Sequence, residues 1–278
     1  MHLPARAGAP KRPLRARITG QVGGLAAAFR FLTCLPLPWA HFGTSDDLGR
    51  ALPYFPLVGL ALGALLVGLD RLLALLFERP FVDFALLATP VLVSGGLHLD
   101  GLIDTADGLF GPGPAGRRLA AMRDSWAGPR GAAAALGQLL LQYAALAALP
   151  TAGRWPALLL APTIGRWAIV YGYVAFPYAR RSAGLSLALK RGATPAAGAS
   201  ASILALGAAS LLSWPTGPLL LAAAWLVATL AGRLAQGRLG GMSGDVYGAV
   251  EQVVETLTLL LFPVLATGLA SPFGRGAG

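Results

Sequence analysis

Seven of the twelve carboxylates in this 278-residue sequence crowd into two stretches, 95–130 and 240–255. The first opens Gly95-Gly96-Leu97-His98-Leu99-Asp100-Gly101-Leu102-Ile103-Asp104-Thr105-Ala106-Asp107-Gly108. Asp100, Asp104 and Asp107 have i, i+4, i+7 spacing, which on a helix puts all three on one face. Carboxylates stacked that way repel one another, and without a cation they lose stability or take up protons. Hard oxygen donors of this kind suit Mg²⁺. His98 stands beside them as a hydrogen-bonding neighbour and a candidate substrate contact.

The second stretch runs Gly240-Gly241-Met242-Ser243-Gly244-Asp245 and continues to Glu251 and Glu255. The two glutamates again have helical i, i+4 spacing, and acids there complement a helix N-terminus. Asp245 follows a glycine run whose backbone N–H groups can come close to a phosphate. It is equally placed to cap the last helix. Between the two stretches lie Arg123, Asp124, Ser125 and Arg130. The arginines can hold a diphosphate by charge-assisted bonds, or serve as ordinary basic loop residues. Arg166 sits inside an apolar stretch, where it needs either a carboxylate or a substrate phosphate as partner. Grouped acids, a divalent cation and nearby arginines fit transfer chemistry on a diphosphate, with charge on the leaving group stabilised. The sequence carries no Walker P-loop, dinucleotide-binding glycine pattern or zinc signature.

Composition dictates what must carry these residues. Hydrophobic residues make up 55% and charged residues 12%, and mean hydropathy is +0.64. So few charges cannot cover a water-soluble surface of this size. The expected fold is all-α, a polytopic membrane bundle of about seven transmembrane helices with an interfacial helix at Gly23 to Leu37. The spans are expected at Leu52 to Phe77, Phe84 to Leu102, Gly131 to Leu149, Pro156 to Phe176, Pro195 to Leu212, Gly217 to Ala235 and Val250 to Ala270. Residues 1–20 carry Arg6, Lys11, Arg12, Arg15 and Arg17 without an acid. They read as a disordered basic tail retained in the cytoplasm. Residues 21–270 read as one membrane-embedded domain and 271–278 as a short tail.

The net charge of +10 belongs with loops facing anionic lipid rather than with nucleic acid. Arginines and lysines concentrate on alternate connections, which puts the N-terminus and the motif-bearing loops in the cytoplasm. The 37 glycines suit close helix packing in lipid. Cys34, the sole cysteine, excludes an internal disulfide and reads as a packing residue.

The stretch from Gly95 to Gly108 resembles the signature of the cobalamin (5'-phosphate) synthase family, also called adenosylcobinamide-GDP ribazoletransferase. Met122-Arg123-Asp124-Ser125 with Gly128 and Gly131 is similar to its second motif. Gly244-Asp245 with Gly248, Ala249 and Glu251 is similar to its third. Phe31-Leu32-Thr33, Leu35-Pro36 and Phe55 to Gly59 resemble its N-terminal region, so the likeness runs from about residue 25 to 262.

The resemblance implies a Mg²⁺-dependent enzyme of the bacterial cytoplasmic membrane. Its substrates would be adenosylcobinamide-GDP and α-ribazole or α-ribazole 5'-phosphate. The acceptor's 5'-oxygen would attack, GMP would be released, and adenosylcobalamin, or its 5'-phosphate, formed. Asp100, Asp104 and Asp107 would hold Mg²⁺ on the diphosphate. Asp245 and Glu251 would complete the metal shell or accept a proton. Arg123 would hold phosphate, oriented by Asp124. Ser125, Arg166 and His98 complete the candidate substrate contacts. A CDP-alcohol phosphotransferase would carry Ala-Arg after an Asp-Gly pair, whereas Asp107-Gly108 is followed by Leu109-Phe110. A transporter would place its acids at mid-membrane and show an inverted repeat.

Overall fold

The computed structural model describes residues 14–36, 48–124, 126–151, 153–180 and 184–270. Residues 1–13, Ser125, and the terminal 271–278 lie outside this set, and with them parts of both expected tails. Among the described residues there are eleven α-helices and no β-strand. They are α1 (Leu14–Leu32), α2 (Phe55–Leu73), α3 (Arg79–Val93), α4 (Leu97–Leu109), α5 (Ala115–Ala121), α6 (Pro129–Ala147), α7 (Trp155–Ala175), α8 (Leu185–Gly192), α9 (Pro195–Leu212), α10 (Thr216–Leu239) and α11 (Gly244–Ala270). Helix α1 starts inside the stretch expected to be a disordered tail, so residues 14–20 are helical.

Proline sits in the first turn of α2, α6, α7 and α9, where its missing N–H costs nothing and its fixed φ suits the helix. At α9 the Thr194 hydroxyl also accepts the Ala197 N–H at 3.2 Å, an N-cap.

Helix α7 is the hub, with α2, α9, α10 and α11 packed on it. It is apolar nearly all round, as a fully surrounded helix must be. Helix α2 reaches it through Gly59 and Gly63, one turn apart. A Cβ on Gly63 would lie 2.7 Å from the Leu159 Cα, and one on Gly59 would run into the Pro162 carbonyl. The spacing is the small-xxx-small pattern that lets two helix backbones touch. Gly59→Ala is therefore expected to lower stability by about 1–3 kcal/mol, read as a lower thermal midpoint in detergent. On α9, Ala197, Ala201, Ala205 and Ala209 form a buried stripe, while Leu211 (88% exposed) and Ile203 (71% exposed) face outward. Large apolar side chains on an outer surface fit a hydrocarbon surround.

Five helical stretches are long and apolar enough to cross a membrane: Leu52–Leu73, Trp155–Ala175, Pro195–Leu212, Thr216–Leu239 and Gly244–Gly268. A sixth candidate is the pair α3 and α4, bent by 84°. The protein is thus a polytopic helical membrane protein, but two of the seven expected spans differ. The span expected from Phe84 to Leu102 is broken. Helix α3 ends in a left-handed turn at Gly95 (φ 62°) and Gly96 (φ 78°). Gly96 N–H donates to the Val91 carbonyl and Gly95 N–H to that of Leu92, a Schellman stop. Helix α4, 13 residues and about 20 Å long, is too short to cross alone. The span expected at Gly131 to Leu149 forms a helix, α6, that falls short in apolarity. Its Gln138 and Gln142 are buried, and Gln138 Nε2 donates to the Gln252 carbonyl and to Thr256 Oγ1 on α11.

Apart from Arg166 in its middle, charged groups gather at the two ends of α7. At its N-terminus Arg154 pairs with Asp83 (2.5 Å) and Asp70 (3.4 Å), and Arg79 with Asp70 (2.9 Å). At its C-terminus lie Tyr178, Arg180 and the two acid stretches. The 21 residues between span about 31 Å, the thickness of a hydrocarbon core.

Candidate active site

The Schellman stop aims α4 across the start of α11. Gly101 makes the contact, since a Cβ there would lie 2.7 Å from the Asp245 carbonyl oxygen. Gly248 answers from α11, with a Cβ position 3.2 Å from the His98 Cα. Two glycines thus bring the first acid stretch against the second. Asp100, Asp104 and Asp107 share one face of α4, as their spacing requires. Asp100 is exposed, and Asp104 and Asp107 are half-buried.

Asp107 closes the cluster on one side. Its Oδ2 accepts the Gly128 N–H at 2.7 Å and its Oδ1 the Gly131 N–H at 3.0 Å. These donors belong to the first turn of α6, so Asp107 fixes that helix to the end of α4. Both glycines are obligatory, because a Cβ at Gly128 would stand 2.5 Å from Asp107 Oδ1.

Asp245 closes the other side. Gly240 (φ 81°) ends α10 in the left-handed region. The chain then clasps the loop after α7: Met242 N–H donates to the Pro177 carbonyl, and Ala179 N–H to that of Met242, both at 2.8 Å. The clasp delivers Arg180, whose Nη2 donates to Asp245 Oδ2 at 2.7 Å. Lys190 of α8 holds the neighbouring helix end, donating to the carbonyls of Tyr173 and Phe176. Burial pulls its pKa down.

Asp104 stands at the centre. Burial, then the charges of Asp245, Asp100 and Asp107, push its carboxyl up to about 7 against the opposing pull of Arg180. The cluster therefore has more negative charge than the nearby cation balances. Among the described residues, however, no three His, Cys, Asp or Glu side chains stand close enough together to hold a metal ion by themselves. A cavity of about 420 Å³ opens beside these groups, lined by Asp100, Arg123, Tyr173, Tyr178, Arg180 and Asp245 among others.

Glu251, Arg166 and His98 form a separate, buried group. Glu251 is fully buried, and its carboxylate is held within this group. The Arg166 guanidinium, 1% exposed, pairs with Glu251 Oε1 at 2.5 Å and with Glu255. His98 Nδ1 lies 3.2 Å from Glu251 Oε2, and Gln252 Nε2 donates to that oxygen at 3.1 Å. Arg166 thus has carboxylate partners, and the phosphate partner left open by the sequence is not needed to satisfy it. Arg123 and Asp124 are exposed. Asp124 Oδ1 accepts the Trp126 N–H at 3.3 Å, which makes it a turn-forming group. Ser125 lies outside the described residues. Cys34 is exposed rather than packed, with its Sγ 3.2 Å from the Leu92 carbonyl.

Arg180 and Tyr178 were not singled out from the sequence. Their signal was weak: a Tyr-Ala-Arg-Arg run after a span reads as a positive-inside loop.

The model of the family described as cobalamin-5-phosphate synthase matches residues 24–263. A protein of Geotalea daltonii named adenosylcobinamide-GDP ribazoletransferase is 40% identical over 233 residues, 84% of this chain and 94% of its own. Proteins of the same name from Desulforamulus reducens (35% identical; 85% of this chain, 94% of the relative) and Synechococcus elongatus (40% identical; 86% and 96%) are also similar. No solved structure matches. The three glycine-and-acid motifs, two meeting at the crossing of α4 and α11 and the other tied to Asp107 at the end of α4, all lie within the matched region, and the chain belongs to the cobalamin-5-phosphate synthase family of transferases.

Proposed function

We propose that this protein transfers the adenosylcobinamide phosphate group from adenosylcobinamide-GDP to α-ribazole or its 5'-phosphate. A ribose hydroxyl oxygen of the acceptor bonds to the cobinamide-linked phosphorus. The bridging P–O bond breaks, and GMP leaves with the bridging oxygen. The hydroxyl proton passes to a carboxylate of the cluster. Since the family name keeps a 5-phosphate on the product, the attacking oxygen belongs to a hydroxyl other than the phosphorylated one. The observation that carries this reading is the aspartate cluster, two of whose members, Asp100 and Asp245, line one cavity together with Arg123 and Arg180. Arg180 holds Asp245 in place, and the two guanidiniums suit the two phosphates of a nucleoside diphosphate.

The aspartates fit Mg²⁺ by donor chemistry and by their excess negative charge, and the lack of an all-protein cage fits an ion shared with substrate phosphates. Asp100, Asp104 and Asp245 would hold it, with Asp107 tied to α6. When bound, Mg²⁺ neutralises charge building on the diphosphate. Asp104, half-protonated near pH 7, must lose its proton to bind the ion. The Mg²⁺ concentration giving half-maximal rate is therefore expected to fall as pH rises through about 7. A titration of GMP release at several pH values checks this.

The acid cluster shares its end of α7 with Arg123, Arg180, Lys190 and Arg238, whereas Arg79 and Arg154 mark the other end. By the positive-inside rule the active site faces the cytoplasm, and the reading assigns the protein to the bacterial inner membrane. The deciding experiment measures GMP release from adenosylcobinamide-GDP by purified protein, with and without acceptor and with Mg²⁺ or EDTA. Release that needs both supports the reading, and folded protein that releases none overturns it.

A further inference from the structure

A second cavity, of about 660 Å³, lies between the end of α1 and the stop that separates α3 from α4. Its wall includes Arg30, Thr33, Cys34, Ser94, Gly96 and Asp100. It meets the 420 Å³ cavity at Phe31, Leu97 and Asp100, which line both. A transfer between two substrates requires two sites that open on one another where the reacting atoms meet. The two cavities differ in chemistry. The first offers two guanidiniums and the phenol rings of Tyr173 and Tyr178, suited to a nucleoside diphosphate. The second offers one guanidinium, Arg30. Its hydroxyls spend their protons locally, Thr33 Oγ1 on the Phe29 carbonyl (2.7 Å) and Ser94 Oγ on that of Val91 (3.3 Å). Their oxygens remain acceptors, matched to hydroxyl donors such as those of a ribose.

We infer that the cavity between α1 and the α3–α4 stop binds the acceptor, a singly phosphorylated nucleoside, with Arg30 on its phosphate and Asp100 at the passage to the donor. The inference rests on the transferase reading above and adds a site to it. It also accounts for α1, which supplies a wall of the acceptor site, with Ala28 and Leu32 buried to hold the helix there.

Cys34 provides a probe in the wild-type protein, because it is the sole cysteine and lines this cavity. In detergent, α-ribazole 5'-phosphate at ten times its dissociation constant is expected to slow iodoacetamide alkylation of Cys34 about tenfold, whereas GDP leaves the rate unchanged. Protection by GDP and not by the acceptor would overturn the assignment, as would protection by neither. A kinetic test uses Arg30→Gln. The ratio of kcat/KM for phosphorylated over unphosphorylated acceptor is expected to fall roughly 10- to 100-fold, the worth of a hydrogen bond to a charged group. An equal rise in donor KM with that ratio unchanged would place Arg30 on the donor and sink the proposal. The alkylation result is readable without turnover. Wild-type protein that shows acceptor protection but releases no GMP would therefore count against the transferase reading alone.

Discussion

Asp104→Ala is expected to lower GMP release by roughly 10²–10³-fold, the cost of removing one preorganised electrostatic group, while the protein unfolds at the same temperature or higher. The two halves of this expectation have one cause. Asp104 sits where burial and three neighbouring carboxylates all oppose its charge. Among the described residues, no hydrogen bond stabilises its ionised form as the Gly128 and Gly131 N–H groups stabilise Asp107. Removing it relieves repulsion in the resting protein and takes away a ligand from the proposed cation. A residue kept for packing would show the reverse pattern. Asp107→Ala supplies the contrast, since it leaves two N–H groups of α6 without their acceptor and destabilises the fold as well. Thermal unfolding in detergent, run beside the GMP assay, separates the two. Normal turnover in Asp104→Ala with intact folding would remove the aspartate face from the mechanism.

Arg166→Met is expected to cost about 3–5 kcal/mol of stability, the range for stranding a buried charge. Arg166 is the cation between Glu251 and Glu255, all three nearly or fully buried. Without it, two carboxylates one helical turn apart face each other in the interior of the bundle. Methionine keeps the apolar stem, so the loss measured belongs to the charge rather than to packing. The double variant Arg166→Met with Glu255→Gln should recover part of the loss, because one of the stranded charges has gone. A double-mutant cycle on the thermal midpoints reads this coupling. Additive losses would show that the pairing contributes nothing.

Much of the architecture was legible in the chain. Low charge and long apolar stretches required a helical membrane bundle, and i, i+4, i+7 spacing required one aspartate face on α4 whatever lay around it. Periodicity reports which residues of one helix share a side, and hydropathy reports what surrounds it. Neither reports where a helix stops or what it meets. The expected second span ran through Gly95 and Gly96 because its hydropathy is continuous, whereas the left-handed turn there is a backbone event. The expected third span counted α6 as a crossing helix, although Gln138 and Gln142 are buried and Gln138 is bonded to α11.

The candidate site divides along the same line. By itself the sequence determined the acid-bearing motifs, their helical register and their likeness to one family, since these depend on residue type and spacing alone. The tertiary structure decided the partners. It paired Glu251 with Arg166, set Arg180 on Asp245 through the Met242 clasp, and put Cys34 on a cavity wall. Each of these joins residues from segments far apart in the chain, and each depends on where glycine contacts such as Gly101 on Asp245 allow two backbones to meet. A close approach of that kind is fixed by the packing of whole helices, which no local pattern of residues encodes.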